Sequence, residues 1–155
     1  MEPLSIATGC IGLISTIGTT SSLLTSFVCN YRAVRNDLDD ISRNLTSIQN
    51  ALNLLKDKIG ANDEAIPEIL RMPIVSHIGN CRRAVEELDK LRRRYTGGRI
   101  TQAAVWAITG KKDAEKLRLS LAEHKATLNL TLQVLNSIEV FLTSYVFLRD
   151  HYFSM

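Results

Sequence analysis

Glycine and proline are scarce in this chain, eight and three among 155 residues, and aromatic side chains make up only 6%. Sheets need frequent turns and favour aromatic and β-branched strands, so this composition points to long helices and an all-α class. The three cysteines, Cys10, Cys29 and Cys81, are odd in number and lack CxxC spacing. That argues against a disulfide framework or a zinc site and suits buried thiols in a reducing cytosol. Charge of one sign is also in short supply. A net charge of +3, with 23% charged residues, falls well short of the dense basic stripe that nucleic-acid binding calls for.

Motifs that carry chemistry are missing too. Gly110-Lys111 is followed by Lys112, with Val105 where a phosphate loop has its first glycine. There is no HExxH, calcium loop, dinucleotide fingerprint or Gly-x-Ser-x-Gly elbow. His77 and His124 lie on or beside apolar helical faces, with no cysteine and carboxylate placed in catalytic order, and are expected to be packed and hydrogen-bonded. Asp37, Asp39 and Asp40 read as an acidic first turn favoured by the helix dipole and receive no functional role. The sequons at Asn44 and Asn129 fall inside helical patterns and are read as chance. No enzymatic activity, metal or cofactor is expected.

What the chain does have is a 29-residue stretch without a charge, from Pro3 to Tyr31, long enough to cross a bilayer as a helix. Glu2 and the missing basic n-region argue against a secretory signal, so the segment is expected to be retained. Ten Ser and Thr and three Gly make it a marginal membrane helix. Small residues at four-residue spacing, Ser5 and Gly9, then Gly18, Ser22 and Ser26, allow close helix approach inside a bundle or between protomers in a membrane.

From Val34 the pattern changes to a heptad stripe: Val34, Leu38, Ile41, Leu45, Ile48, Leu52, Leu55 and Ile59, ended by Gly60. A second stripe, Ile74, Ile78, Cys81, Val85, Leu88 and Leu91, follows Pro73, which should end or kink the helix near Arg71 or Met72. Residues 100–108 read as a short helix ending at Thr109 and Gly110. The last helix carries Leu117, Leu121, Leu128, Leu135, Ile138, Leu142 and Tyr145. A second line on it, Leu130, Val134 and Phe141, predicts a central helix touching more than one neighbour. The expectation is one domain over 1–155: a bundle of about four main helices at 4–28, 31–59, 64–96 and 111–150, the third kinked, with the short connecting helix before the last.

Lys90, Arg92, Arg93, Arg94, Arg99, Lys111 and Lys112 flank a loop at one end of that bundle. Each base near an anionic leaflet is worth about 1 kcal/mol, so the cluster is a candidate lipid or partner surface. Trp106, between its two halves, reads either as a core plug or as an interfacial anchor.

The opening MEPLSIATGCIGLIS, the Ser/Thr-rich apolar helix after it and the charged heptad helix RNDLDDISRNLTSIQNALNLL resemble the start of the fungal HeLo-like domains that precede the nucleotide-binding modules of STAND, or NOD-like, receptors. The resemblance covers roughly residues 1 to 60 by motif and the remainder by helical layout. It implies a cytoplasmic signalling effector that moves to the plasma membrane on activation and induces regulated cell death of the heterokaryon-incompatibility or innate-immunity kind. The implied partners are further copies of itself, anionic membrane lipids and an NTPase receptor module in cis or in trans. By the same analogy Leu4, Ile6, Ile11, Leu13, Ile14, Ile17, Leu23, Leu24 and Phe27 are membrane-facing, and Gly9, Gly12 and Gly18 lie at helix contacts. The competing expectation is a soluble interaction module that binds a partner or its own receptor without membrane activity.

Overall fold

The computed structural model describes residues 5–60, 66–96 and 105–154. Four helices account for nearly all of them: α1 (Ile6–Asn30), α2 (Arg35–Ile59), α3 (Glu68–Tyr95) and α4 (Lys111–Phe153), and no strand occurs among the described residues. The all-α bundle expected from composition is the fold. Leu4 and Arg99 lie outside the described residues, as does most of the 100–108 segment.

Local causes are visible at the start of α1 and the end of α2. Ser5 caps α1: its Oγ accepts a hydrogen bond from the Thr8 backbone N–H at 3.1 Å, satisfying one of the orphan donors of the first turn. A single 3-10 turn, Arg32–Val34, joins α1 to α2. Gly60 ends α2 at φ 61°, in the left-handed region that glycine enters without a Cβ penalty. In α3, Pro73 sits in the second turn and the helix runs through it rather than ending at Arg71 or Met72. So early in the helix, proline removes one ladder bond, and the stripe beyond it packs against both neighbours.

The eight residues of the α2 stripe and the six of the α3 stripe are all buried. Among the described residues α1 and α4 each pack against both α2 and α3, so the four helices form a square with α1 and α4 on one diagonal. The core lies along the axis of that square, where α1 contributes Ile6, Cys10, Leu13, Ile17, Leu24 and Phe27.

The connection into α4 departs from the sequence expectation. Thr109 and Gly110 do not close a separate short helix: Trp106–Gly110 form one π-helical turn that continues directly into α4. The reason is steric, since a Cβ on Gly110 would run into the ring of Trp106, so glycine lets the indole fold back over the widened turn.

Candidate functional site

Of the nine apolar residues of the first helix singled out as membrane-facing, Ile6, Leu13, Ile17, Leu24 and Phe27 are buried in the bundle and Ile14 is half-buried. Ile11 and Leu23 are the outward pair, 57% and 38% exposed. The helix is therefore amphipathic, with its main stripe spent on the core. Three of its hydroxyls are satisfied within the helix: Thr16, Thr19 and Thr25 donate to the carbonyls of Gly12, Ser15 and Ser21. The glycines lie at helix contacts. A Cβ at Gly9 would sit 3.5 Å from Ile78 of α3, one at Gly12 only 2.7 Å from the Arg82 guanidinium, and one at Gly18 3.6 Å from Gln49 of α2. Gln49 also donates to the Ile14 carbonyl at 3.3 Å, a polar tie between α1 and α2.

The basic cluster is less available than its sequence suggests. Arg92 and Arg93 both reach Asp89, at 2.9 and 2.8 Å, and the Arg92–Asp89 pair is half-buried. Arg94 bridges to Asp113 at the start of α4, and Lys90 pairs with Glu87. Only Lys111 and Lys112 among the described members project without an acidic partner. A surface that holds an anionic partner needs free cations, and here the neighbouring acids occupy most of them.

Trp106 resolves to the core. It is 4% exposed, its ring lies 5.0 Å from Tyr95 edge-on and 6.1 Å from Phe27, and its Nε1–H donates to Asp37 at 3.0 Å. The indole thus ties the entry of α4 to α1, α2 and α3 at once. Asp37, read from sequence as a dipole-favoured first-turn residue, is also the acceptor that lets a tryptophan N–H be buried.

His77 of α3 and His124 of α4 face each other with ring centroids 5.1 Å apart, and His77 Nε2 donates to the His124 carbonyl at 3.2 Å. Burial, then the facing His77, lowers the His124 pKa from 6.5 against a weaker opposing pull from Glu123. The unfolded chain therefore takes up this proton first. The stability contribution is complete above pH 6.5 and is lost as pH falls through that value toward the lower folded pKa. Thermal melts between pH 7.5 and 5.5 are expected to show a falling midpoint, and His124→Gln to flatten part of that slope. Burial likewise pushes the Cys81 thiol up to about 12, which leaves it unreactive. No group of three His, Cys, Asp or Glu among the described residues is placed to hold a metal.

The feature that sequence reasoning missed is on α4. Its first half is packed through Ala114, Leu121, Leu128, Leu132 and Leu135. Beyond Leu135 the cover thins and the helix runs on past the bundle: Glu139 still reaches Lys58 of α2, but apart from half-buried Ile138 every described residue from Asn136 to Ser154 is exposed. Tyr145, expected on the packed stripe, and Leu130, Val134 and Phe141, expected to widen it, are exposed, while Leu142, 53% exposed, still lines the hollow that α4 forms with Leu54, Ile66 and Pro67. α4 does touch both α2 and α3, but α2 ends at Ile59. α1 and the Trp106–Phe153 helix are both long and apolar enough to cross a membrane by length and composition alone. The apolar window is 28% buried in the first and only 6% buried in the second.

Over residues 1–152 the chain matches the family model described as pigment biosynthesis cluster protein PigL N-terminal, a fungal domain family. No curated protein and no solved structure matches it.

Proposed function

We propose, from the premise that the chain belongs to the family of PigL N-terminal domains, that it is a non-catalytic helical signalling module whose output is protein assembly. The observation that carries this reading is the pairing of a closed core with an open apolar helix: α1 is committed to the bundle, while α4 from Asn136 onward is exposed apart from half-buried Ile138. A large exposed apolar patch on a soluble domain marks an interaction surface. The resemblance of residues 1 to 60 to HeLo-like domains supports a place upstream in a signalling chain, as the effector that an NTPase receptor module in cis or in trans brings together. The family's namesake is described as a pigment biosynthesis cluster protein and this domain as its N-terminal part, which suits an accessory module working with another unit.

The second reading is membrane insertion of α1 after assembly, with cell death as the outcome. It is favoured by the outward Ile11 and Leu23 and by the uncharged length of the helix. It requires the bundle to open, because Leu13, Ile17 and Leu24 are fully buried. Dye leakage from anionic and from neutral liposomes separates the two. The assembly reading expects no leakage from either with the full chain. Leakage from anionic liposomes that Ile11→Glu and Leu23→Glu abolish would replace it with the membrane reading.

A further inference from the structure

We infer that the uncovered seam of α4 is the docking surface for a second copy of this chain, held antiparallel. The inference rests on the assembly reading above and names its first partner.

The seam consists of Leu130, Val134, Ser137, Phe141, Ser144 and Leu148, alternating four and three apart, on the side of α4 away from the packed Leu121, Leu128, Leu132 and Leu135. The large members are 60%, 39%, 68% and 52% exposed in order, and the two serines are exposed. Ser137 spends its hydroxyl on the Gln133 carbonyl at 2.9 Å, so it offers the seam a small, satisfied surface. Two shallow dips in the open helix surface lie along this line, one bounded by Val134, Ser137 and Phe141, the next by Ser137, Val140, Phe141 and Ser144. The second is the four-residue diamond, at i, i+3, i+4 and i+7, that accepts a side-chain knob from a facing helix.

The alternation of large and small decides the orientation. In a parallel pair each seam residue meets its own copy, so Phe141 would face Phe141 while Ser137 faced Ser137, overfilling one layer and emptying the next. In an antiparallel pair the positions from 137 to 148 meet their complements: Phe141 meets Ser144 of the second copy, Leu148 meets Ser137, and outside this stretch Val134 meets His151. Every large side chain from Phe141 to Leu148 then has a small one opposite, in both directions, as a two-fold interface requires. Ile138 and Tyr145, and Val140 and Phe147, flank the seam and meet across it in the same register. The two bundle bodies fall at opposite ends.

Charge and area agree with that occupant. Glu139 turns back to the bundle, where it pairs with Lys58 at 2.8 Å, so the seam from Leu130 to Leu148 carries no charged residue, and the next position on its line is His151. Six to eight large apolar side chains per protomer, at roughly 100–200 Å² each, reach the roughly 1,200 Å² total at which stable interfaces begin. A bilayer fits less well. The uncharged run from Val140 to Leu148 is nine residues, against about 20 needed to span, and a longer window puts Glu139 at its centre.

The test is the oligomeric state of the full chain by light scattering across a concentration series, joined to disulfide trapping in a Cys29→Ser background. A dimer is expected, and Phe141→Asp, remote from the core, should weaken it by at least about thirty-fold, the lower bound for a central interface residue. Mixing Ser137→Cys chains with Leu148→Cys chains should trap a crosslinked pair, while Ser137→Cys alone should not, since the two copies of position 137 lie far apart along antiparallel axes. Crosslinking of Ser137→Cys with itself would overturn the orientation. A monomer at all concentrations with native helicity, or a chain that dimerises equally well with Phe141→Asp, would overturn the seam as the self-docking surface. If liposome leakage is also absent, the assembly reading then stands with a different partner. Transfer of the chain onto vesicles in place of dimerisation would overturn both.

Discussion

Trp106→Ala is expected to cost about 3–5 kcal/mol, the range for truncating a buried aromatic residue. That is a large part of the roughly 5–15 kcal/mol that holds a domain together, and it should lower the melting temperature by roughly 10 °C. The loss is this large because one side chain fills the junction of all four helices, against Phe27 and Tyr95, with its N–H on Asp37. Asp37→Ala removes only the acceptor and should cost about 1–3 kcal/mol, with the buried indole N–H left unpaired. The two changes touch the same contact, so the double variant should lose less than the sum. Circular-dichroism melts of the four proteins check this. Additive losses would mean that the Asp37–Trp106 bond does not couple the helices.

The second large effect is a contrast within one helix. Leu13→Asp places a carboxylate in the fully buried stripe of α1 and should destabilise by at least about 3 kcal/mol, from lost packing and an unsolvated charge together. Ile11→Asp, two positions earlier on the 57% exposed side, should change stability by about 0.5 kcal/mol or less. Urea unfolding of both variants measures it. Equal, small effects would mean that α1 does not sit in the core, and the assembly reading would lose its footing.

How far the sequence could be read varies by element, for physical reasons. The α2 stripe was legible in full because a heptad repeat bounded by Gly60 specifies a buried face, and the eight positions from Val34 to Ile59 are all buried. The α3 stripe was legible too, and proline in its second turn disturbed it little. Periodicity says which residues share a face, however, not whether a neighbour reaches that face. On α4 the apolar repeat runs on from Leu142, at the edge of the bundle, to exposed Tyr145. The signal that could have shown this was length: α4 has 43 residues where α2 has 25 and α3 has 28. At about 1.5 Å per residue, such a helix must overhang its partners by more than 20 Å. The basic cluster is less free than its run suggests because Asp89, one turn earlier on α3, pairs with Arg92 and Arg93, while Asp113 reaches Arg94 once α3 and α4 are side by side. The bond from Asp37 to Trp106 spans 69 positions in the chain, and no local pattern announces it.

The central claim is that α1 stays in the core while α4 offers the binding face, and amide hydrogen exchange of the full chain, with and without anionic vesicles, tests it most directly. Residues 6–30 should be as protected as those of α2 under both conditions. Residues 136–153, an unsupported helix when alone, should exchange fast in dilute protein and slow as concentration rises. Loss of α1 protection on adding vesicles, with 136–153 indifferent to concentration, would contradict the account and return the function to α1 and the membrane.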